Sequence, residues 1–203
     1  MSNNLKNKII DKSIELFNEK GYSNVKMRTI SEELNISIGN LTYHFKRKKD
    51  LMLFAIAKQY EEYKTLKFSS DVSMEELNQQ FLSFDAFRKK YFFYFYNFTE
   101  LSKEYPEISK IQIDVVNELY TYYNDLFSNF ISKGIMKKEL YPGQYEDLST
   151  SLLLLNMYGA QEIIFLKKFI KNQKNYLSIL WSLILPNLTS KGITLYNKLN
   201  SCK

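Results

Sequence analysis

The chain has 203 residues, of which 45% are hydrophobic and 25% charged, with a net charge of +6 and a pI near 9.1. Its one cysteine, Cys202, excludes an intrachain disulfide framework and a cysteine-built metal site. Apolar runs such as 152–155 and 179–185 are too short to span a bilayer, and the N-terminus lacks the unbroken apolar stretch of a signal peptide, so a cytoplasmic protein is expected. With 3 Pro and 6 Gly the chain has few breakers, which favours long helices over a many-turned sheet.

Ile10, Ile14 and Phe17 recur at helical spacing, and Gly21 supplies a stop. Met27, Ile30 and Leu34 mark a second, short helix. Asn35 tolerates the positive φ of a tight turn, and Ser37 is a good N-cap for a third helix running from Ile38 to about Phe45. Leu41 and Phe45, four apart, face inward, which leaves Asn40, Thr42, Tyr43 and His44 at the rim or outside. A fourth helix starts near Lys48 and runs to the mid-sixties, with Leu51, Phe54 and Ala55 as the face that locks onto the helices before it. After a break over 68–73, Ser73 and Glu76 have capping-box spacing. Further helices are broken near Pro106, Gly134 and Pro142-Gly143. Two long helices close the chain, over about 144–169 and 175–200, the last interrupted by Pro186. With no alternating strand pattern and no repeat, the expected fold is all-α, with about nine helices.

Residues 37–49 read SIGNLTYHFKRKK. Two short helices joined by a tight turn, the second capped by Ser and rimmed with polar groups, make a helix-turn-helix, whose second helix enters the DNA major groove. Gly39 allows close approach to DNA or to the partner helix. Asn40 and Thr42 suit base edges, Tyr43 and His44 reach phosphates, and Lys46 to Lys49 lie where the backbone would pass. Residues 1–50 carry 10 Lys+Arg against 6 Asp+Glu, placing +4 of the net charge in the first quarter. His44 is the only histidine, with no cysteine nearby, so neither a catalytic dyad nor a metal site is expected there. Outside this motif it would read as a surface histidine without a role, and Lys46–Lys49 as a solvated charge run.

The order aliphatic–Ser–x–Gly–x–Leu–x–Tyr–His–Phe–Lys–x–Lys, within IIDKSIELFNEKGYSNVKMRTISEELNISIGNLTYHFKRKKDLM, resembles the DNA-binding domain of the tetracycline-repressor (TetR) family over about residues 5–60. The resemblance implies a helix-turn-helix domain over 1–47 and a helical effector-binding and dimerisation domain over 48–203. It places DNA contacts on Arg28, Ser37, Ile38, Gly39, Asn40, Thr42, Tyr43, His44, Lys46 and Lys48. Four positions depart from the family pattern. Lys26 stands where a capping Ser or Thr is common, Asn35 replaces the turn Gly, Ile38 a polar or basic residue, and Thr42 an aromatic.

Residues 89–101, KKYFFYFYNFTEL, carry aromatics around too much of a helix for one-sided packing. They are buried core or the wall of a ligand cavity, to which Tyr94, Phe95 and Phe98 would contribute, with Tyr120, Tyr123 and Phe127 opposite and Tyr158 and Trp181 as pocket or core. No buried Arg or His stands out as an anion partner, so a hydrophobic or aromatic effector is expected. Leu152, Leu155, Gly159 and Ile163, with Leu177, Leu180, Ile184 and Leu188, are either intrachain packing or the four-helix dimer interface that the resemblance implies.

The function expected from these readings is a homodimeric repressor of a pseudo-palindromic operator, binding double-stranded DNA and released by a small molecule. The alternative is an effector-independent DNA-binding protein whose C-terminal domain takes a protein partner. No enzyme, cofactor, metal or membrane partner is expected, since the sequence has no metal cluster, Gly-rich phosphate loop or recognisable triad.

Overall fold

This computed structural model describes residues 2–166, 169–171 and 175–201, side chains excepted at 2–3, 160–166 and 200–201. Among them the helices are α1 Ser2–Lys20, α2 Met27–Glu33, α3 Ile38–His44, α4 Lys48–Tyr63, α5 Met74–Lys90, α6 Phe92–Tyr96, α7 Phe98–Glu104, α8 Pro106–Ser132, α9 Gln144–Leu166, α10 Tyr176–Ile184 and α11 Ser190–Ser201, with 3-10 turns at Tyr22–Asn24 and Leu185–Asn187. The all-α expectation holds, and the local signals explain the ends. The Ser73 amide donates to Glu76 Oε2 (2.8 Å) and the Glu76 amide to Ser73 Oγ (3.2 Å), a reciprocal cap on α5. Pro106 occupies the first turn of α8, where its missing N–H costs nothing. Gly134 and Gly143 take φ of 67° and 84° at the turns between α8 and α9, a region that disfavours side chains.

There are eleven α-helices among the described residues rather than about nine, for two reasons. Pro186 divides the last helix, as its ring requires, leaving α10, a 3-10 turn and α11. The aromatic stretch is broken at Tyr91 and Asn97, and Asn18 of α1 holds the first break open. Its amide donates to the Lys90 carbonyl (2.8 Å), and its side-chain oxygen accepts the Phe93 amide (2.8 Å). Two backbone groups that a continuous helix would pair internally are thereby satisfied from outside.

The chain divides into two compact units, Met1–Leu66 with Phe87–Tyr94, and Lys67–Ala86 with Phe95–Lys203. In the first, α4 packs on α1, burying Leu51, Met52, Ala55 and Ile56 against a core that includes Ile10, Ile14, Phe17, Ile30, Leu41 and Phe45. That packing places α4 in the same compact unit as the three helices before it. Phe54 departs from the expected face of α4. It stays 42% exposed, edge-on to Phe45 at 5.3 Å, with the Lys6 ammonium 3.9 Å from its ring centre. Glu62 of α4 accepts from the Tyr91 hydroxyl (2.8 Å) and pairs with Lys90, holding the 87–94 segment in this unit. Burial, then the Glu62 bond, pushes the Tyr91 hydroxyl's pKa above its ordinary value.

In the second unit α8 packs on α7 and α9, and α9 on α10. A β-bridge between Met136 and Leu188 pins the α8–α9 connection to the segment before α11. Gly192 of α11 is needed there, since a Cβ would fall 2.3 Å from the Ile135 carbonyl oxygen.

Candidate nucleic-acid interface

The interface is built on α2, α3 and the turn between them. Asn35 takes φ 52°, and the Ile36 amide reaches back to the Ser31 carbonyl (3.0 Å), a tight turn made without glycine. Ser37 then caps α3, its hydroxyl accepting the Asn40 amide at 3.1 Å. Leu41 and Phe45 are fully buried and anchor α3, so its remaining side chains point outward. Ile38 is 47% exposed and Tyr43 82%, a costly display for large apolar and aromatic groups that the chain itself does not cover. Asn40 is exposed, with its side-chain amide toward solvent. The Thr42 hydroxyl donates to its own helix, at the Ile38 carbonyl (2.9 Å) and the Gly39 carbonyl (3.1 Å). This leaves its methyl and an oxygen lone pair to offer. His44 is half-buried with its ring 5.2 Å from that of Tyr43.

Gly39 settles one of the two roles open to it. A Cβ there would meet only Ser37 Oγ, at 3.9 Å, so no neighbouring helix needs the glycine. Arg28 lies on the exposed surface of α2, paired with Glu32 at 3.0 Å in a contact too solvated to fix it strongly. Lys46 is exposed at the end of α3. Lys26 gives α2 no side-chain cap, as its place in the sequence implies.

Lys48 is held differently from the other expected contacts. Its ammonium points not outward but at three backbone carbonyls, those of Tyr22 (2.6 Å), Val25 (2.8 Å) and Ser23 (3.4 Å), and lies 4.2 Å from the Tyr22 ring centre. Of its three N–H donors, two have carbonyl partners at close range, and the third has only the longer Ser23 contact. Burial lowers its pKa from the ordinary lysine value. Sequence spacing revealed the cation but not its direction.

The expected effector residues sit differently. Tyr94 falls in the first unit and the other seven in the second. Phe95, Phe98, Tyr123, Phe127 and Trp181 are each less than a tenth exposed, Tyr120 is half-buried and Tyr158 is 41% exposed. Their neighbours are mostly other side chains. Tyr123 stacks on Phe127 at 6.2 Å, Phe98 meets Tyr158 at 5.8 Å, and Trp181 lies edge-on to Phe81 while donating to Asn78 (3.1 Å). The Tyr123 hydroxyl accepts from Asn156 (2.7 Å), which in turn accepts from the Tyr176 hydroxyl. Burial pushes Tyr123 up to about 12, so it stays neutral at physiological pH. An open cleft of about 640 Å³ lies against the second half of α8, lined by Asn124, Phe127, Ser128, Ile131, Lys138, Glu139, Tyr145 and Glu146. Of the eight expected residues, only Phe127 lines it. Arg88, 5% exposed in α5, is a buried cation that sequence reasoning missed, because hydropathy alone gives no sign that a charged residue in α5 is buried.

The expected dimer residues are also redistributed. Leu152, Leu180, Ile184 and Leu188 are at most 3% exposed and belong to the chain's own core. Leu155 and Leu177 are half-buried, and the Ile163 side chain lies outside the described residues, as does Cys202. Gly159 is buried, and a Cβ there would meet its own helix's Leu155 Cδ1 at 2.6 Å. Among the described side chains of α9, the large apolar ones left outside are Leu154, 56% exposed, and Tyr158. The run Leu152-Leu153-Leu154-Leu155 covers the whole helix circumference, so spacing could not say which leucines face in. The four-residue step from Leu154 to Tyr158 was the available signal.

Comparison with known proteins adds family and fold. A family model described as "Bacterial regulatory proteins, tetR family" matches residues 9–55, and one described as "Bacterial transcriptional repressor" matches residues 57–196. The HTH-type transcriptional regulator YttP of Bacillus subtilis, named as probable, is 29% identical over 143 residues, 66% of each chain. IcaR of Staphylococcus aureus, named as a negative transcriptional regulator of the biofilm operon icaADBC, is 29% identical over 136 residues, 66% of this chain and 68% of that one. A TetR-family regulator from Marinobacter aquaeolei VT8 superposes with a TM-score of 0.79 at 23% identity, covering 97% of both chains. A regulator from Aquifex aeolicus VF5 does so with 0.54 at 24% identity, covering 88% of this chain and 94% of that one. Among the described residues no helix is long and apolar enough to cross a membrane, and no group of metal-ligating side chains occurs.

Proposed function

Because the chain belongs to the TetR family of helix-turn-helix transcriptional regulators, we propose that it is a repressor that binds a pseudo-palindromic operator as a homodimer and is released by a small molecule. The observation that carries the DNA reading is the outward face of α3, where Ile38, Asn40 and Tyr43 are held by a capped, anchored helix yet left uncovered. Ile38 packs on a thymine methyl, and Asn40 bonds bidentately to adenine N6 and N7. Thr42, its proton committed to the helix, presents its methyl. Tyr43, with Lys46 and Arg28, meets the phosphates, and His44 serves the same backbone. The name of the Staphylococcus aureus relative, a negative regulator, supports repression over activation.

Dimerisation follows from affinity, since one recognition helix buries too little surface to select a site. Among the described side chains, Leu154 and Tyr158 are apolar groups available on α9 for a partner copy. In the second unit the neutral hydroxyl of Tyr123 and the surrounding aromatics suit a hydrophobic or aromatic effector. The alternative, an effector-independent protein with a protein partner, is favoured by one observation. Phe95, Phe98, Tyr123 and Trp181 fill space with one another's neighbours rather than lining the cleft at Phe127.

Selection from a randomised duplex pool tests the DNA reading. Two related half-sites about one helical turn apart are expected, and no enrichment overturns it. Thermal shift against a metabolite library, followed by operator titration with each hit, separates the two regulators. A true effector raises the melting temperature and weakens operator binding roughly 5- to 150-fold.

A further inference from the structure

The entry to the helix-turn-helix is the segment 22–25, which leads through uncapped Lys26 into α2; its exit is Lys48, the first residue of α4. The Lys48 ammonium joins the two through the carbonyls of Tyr22, Ser23 and Val25. Tyr22 is itself seated edge-on against Phe17 of α1 at 5.2 Å, and Val25 is buried. Residues 26–47, the whole DNA-reading element, therefore lie inside a ring closed by one cation. The tie grips the chain just before α2, whose N-cap Lys26 makes no side-chain cap bond; it anchors the carbonyls leading into the helix and leaves the first amides of α2 uncapped. A phosphate would have to compete with two carbonyls already at 2.6 and 2.8 Å for the direction of this ammonium.

We propose that Lys48 is a positioning residue for DNA recognition: it closes the helix-turn-helix at its base and sets how α3 is presented to the groove, instead of neutralising a phosphate. The inference rests on the reading of α3 as the DNA-reading helix. Specificity depends on short side chains such as Asn40 meeting base edges, which tolerates little displacement, whereas non-specific binding depends on total charge. Loosening the ring should therefore cost selectivity and spare the charge-driven component. Arginine is a sharp probe, because its planar fork keeps the charge but cannot converge on three carbonyls as an ammonium does.

The experiment measures affinity for the selected operator and for an unrelated duplex across a salt series, for wild type, Lys48→Met and Lys48→Arg. Every measurement is made well below each variant's melting temperature. Both variants should lose roughly tenfold or more in the ratio of operator to unrelated affinity, about the value of one base contact. The Lys48→Arg salt slope should match wild type, and that of Lys48→Met should not flatten. If Lys48→Met does not fold, Lys48→Arg alone decides. A preserved ratio, or a slope shallower by about 0.9 for each lost contact, overturns the inference; the first would leave Lys48 a matter of stability alone, the second a phosphate contact. A wild type that enriches no operator overturns the DNA reading together with this inference, whereas a defined operator with unaffected variants overturns only the latter.

Discussion

The two units handle their unusual residues in opposite ways. The first leaves them out: Tyr43 is 82% exposed, and Gly39 stands in a helix with no neighbour requiring it. The second takes them in: Tyr123 and Trp181 are each 3% exposed, their polar atoms bonded to Asn156 and Asn78. An uncovered aromatic on a capped, anchored helix is available to something outside the chain, whereas a buried and satisfied one is explained by the fold. The difference separates a surface shaped by a partner from an interior shaped by packing, and it predicts that mutations in the two will report on different equilibria.

The largest effect that would break this contrast is electrostatic. With Lys46, Arg28 and their symmetry mates against phosphates, operator affinity should fall roughly a hundredfold between 50 and 200 mM salt. Unfolding of the second unit should hardly respond over the same range. Fluorescence anisotropy with labelled operator measures the first and thermal denaturation the second. A flat binding curve would remove the reason for placing phosphates along α3.

Next in size are core and face in the second unit. Leu180→Ala and Ile184→Ala should each lower unfolding free energy by about 2–5 kcal/mol, because they open cavities among fully buried side chains. Leu154→Glu should do little to the folded subunit but split dimers and abolish operator binding. Sedimentation and urea titration together test this. A folded, monomeric Leu180→Ala would return that leucine to the interface.

Legibility follows the same division. The helix-turn-helix was readable because each of its features is local: Asn35 makes the turn, Ser37 caps three residues away, and Leu41 and Phe45 share a face. The capping box at Ser73 and the interruption at Pro186 were local too. What escaped depended on partners distant in sequence. The break at Tyr91 is made by Asn18, 72 residues before the Lys90 carbonyl it grips, and the direction of Lys48 is set by carbonyls 23 to 26 residues earlier. For the leucines of α9 and α10 the sequence leaves packing and interface both open, because hydrophobicity alone does not distinguish one's own core from another chain's surface; the fold buries Leu152 and Leu180 in its own core.

Smaller effects sharpen the outer surface itself. Asn40→Ala should relax one position in each half-site, at about 1–3 kcal/mol of lost discrimination, and leave the salt slope unchanged. Selection from a random duplex pool reads this directly. A motif identical to wild type would show that Asn40 does not contact a base.

The smallest expected change is the most diagnostic, because its two readouts move in opposite directions. Glycine in a helix costs stability relative to alanine through its backbone freedom. At residue 39 the fold gains nothing in return, since an added Cβ would sit in ordinary contact with Ser37 Oγ at 3.9 Å. Gly39→Ala should therefore stabilise the first unit, by a few tenths to about 1 kcal/mol given its place in the first turn of α3. The same methyl group would stand between the helix backbone and whatever approaches it, so operator affinity should fall. Chemical denaturation and anisotropy on one protein preparation give both numbers. If Gly39→Ala is more stable and binds as tightly as wild type, the glycine does not mark close approach of DNA, and Ile38 and Tyr43 alone carry the case for contact at this end of α3.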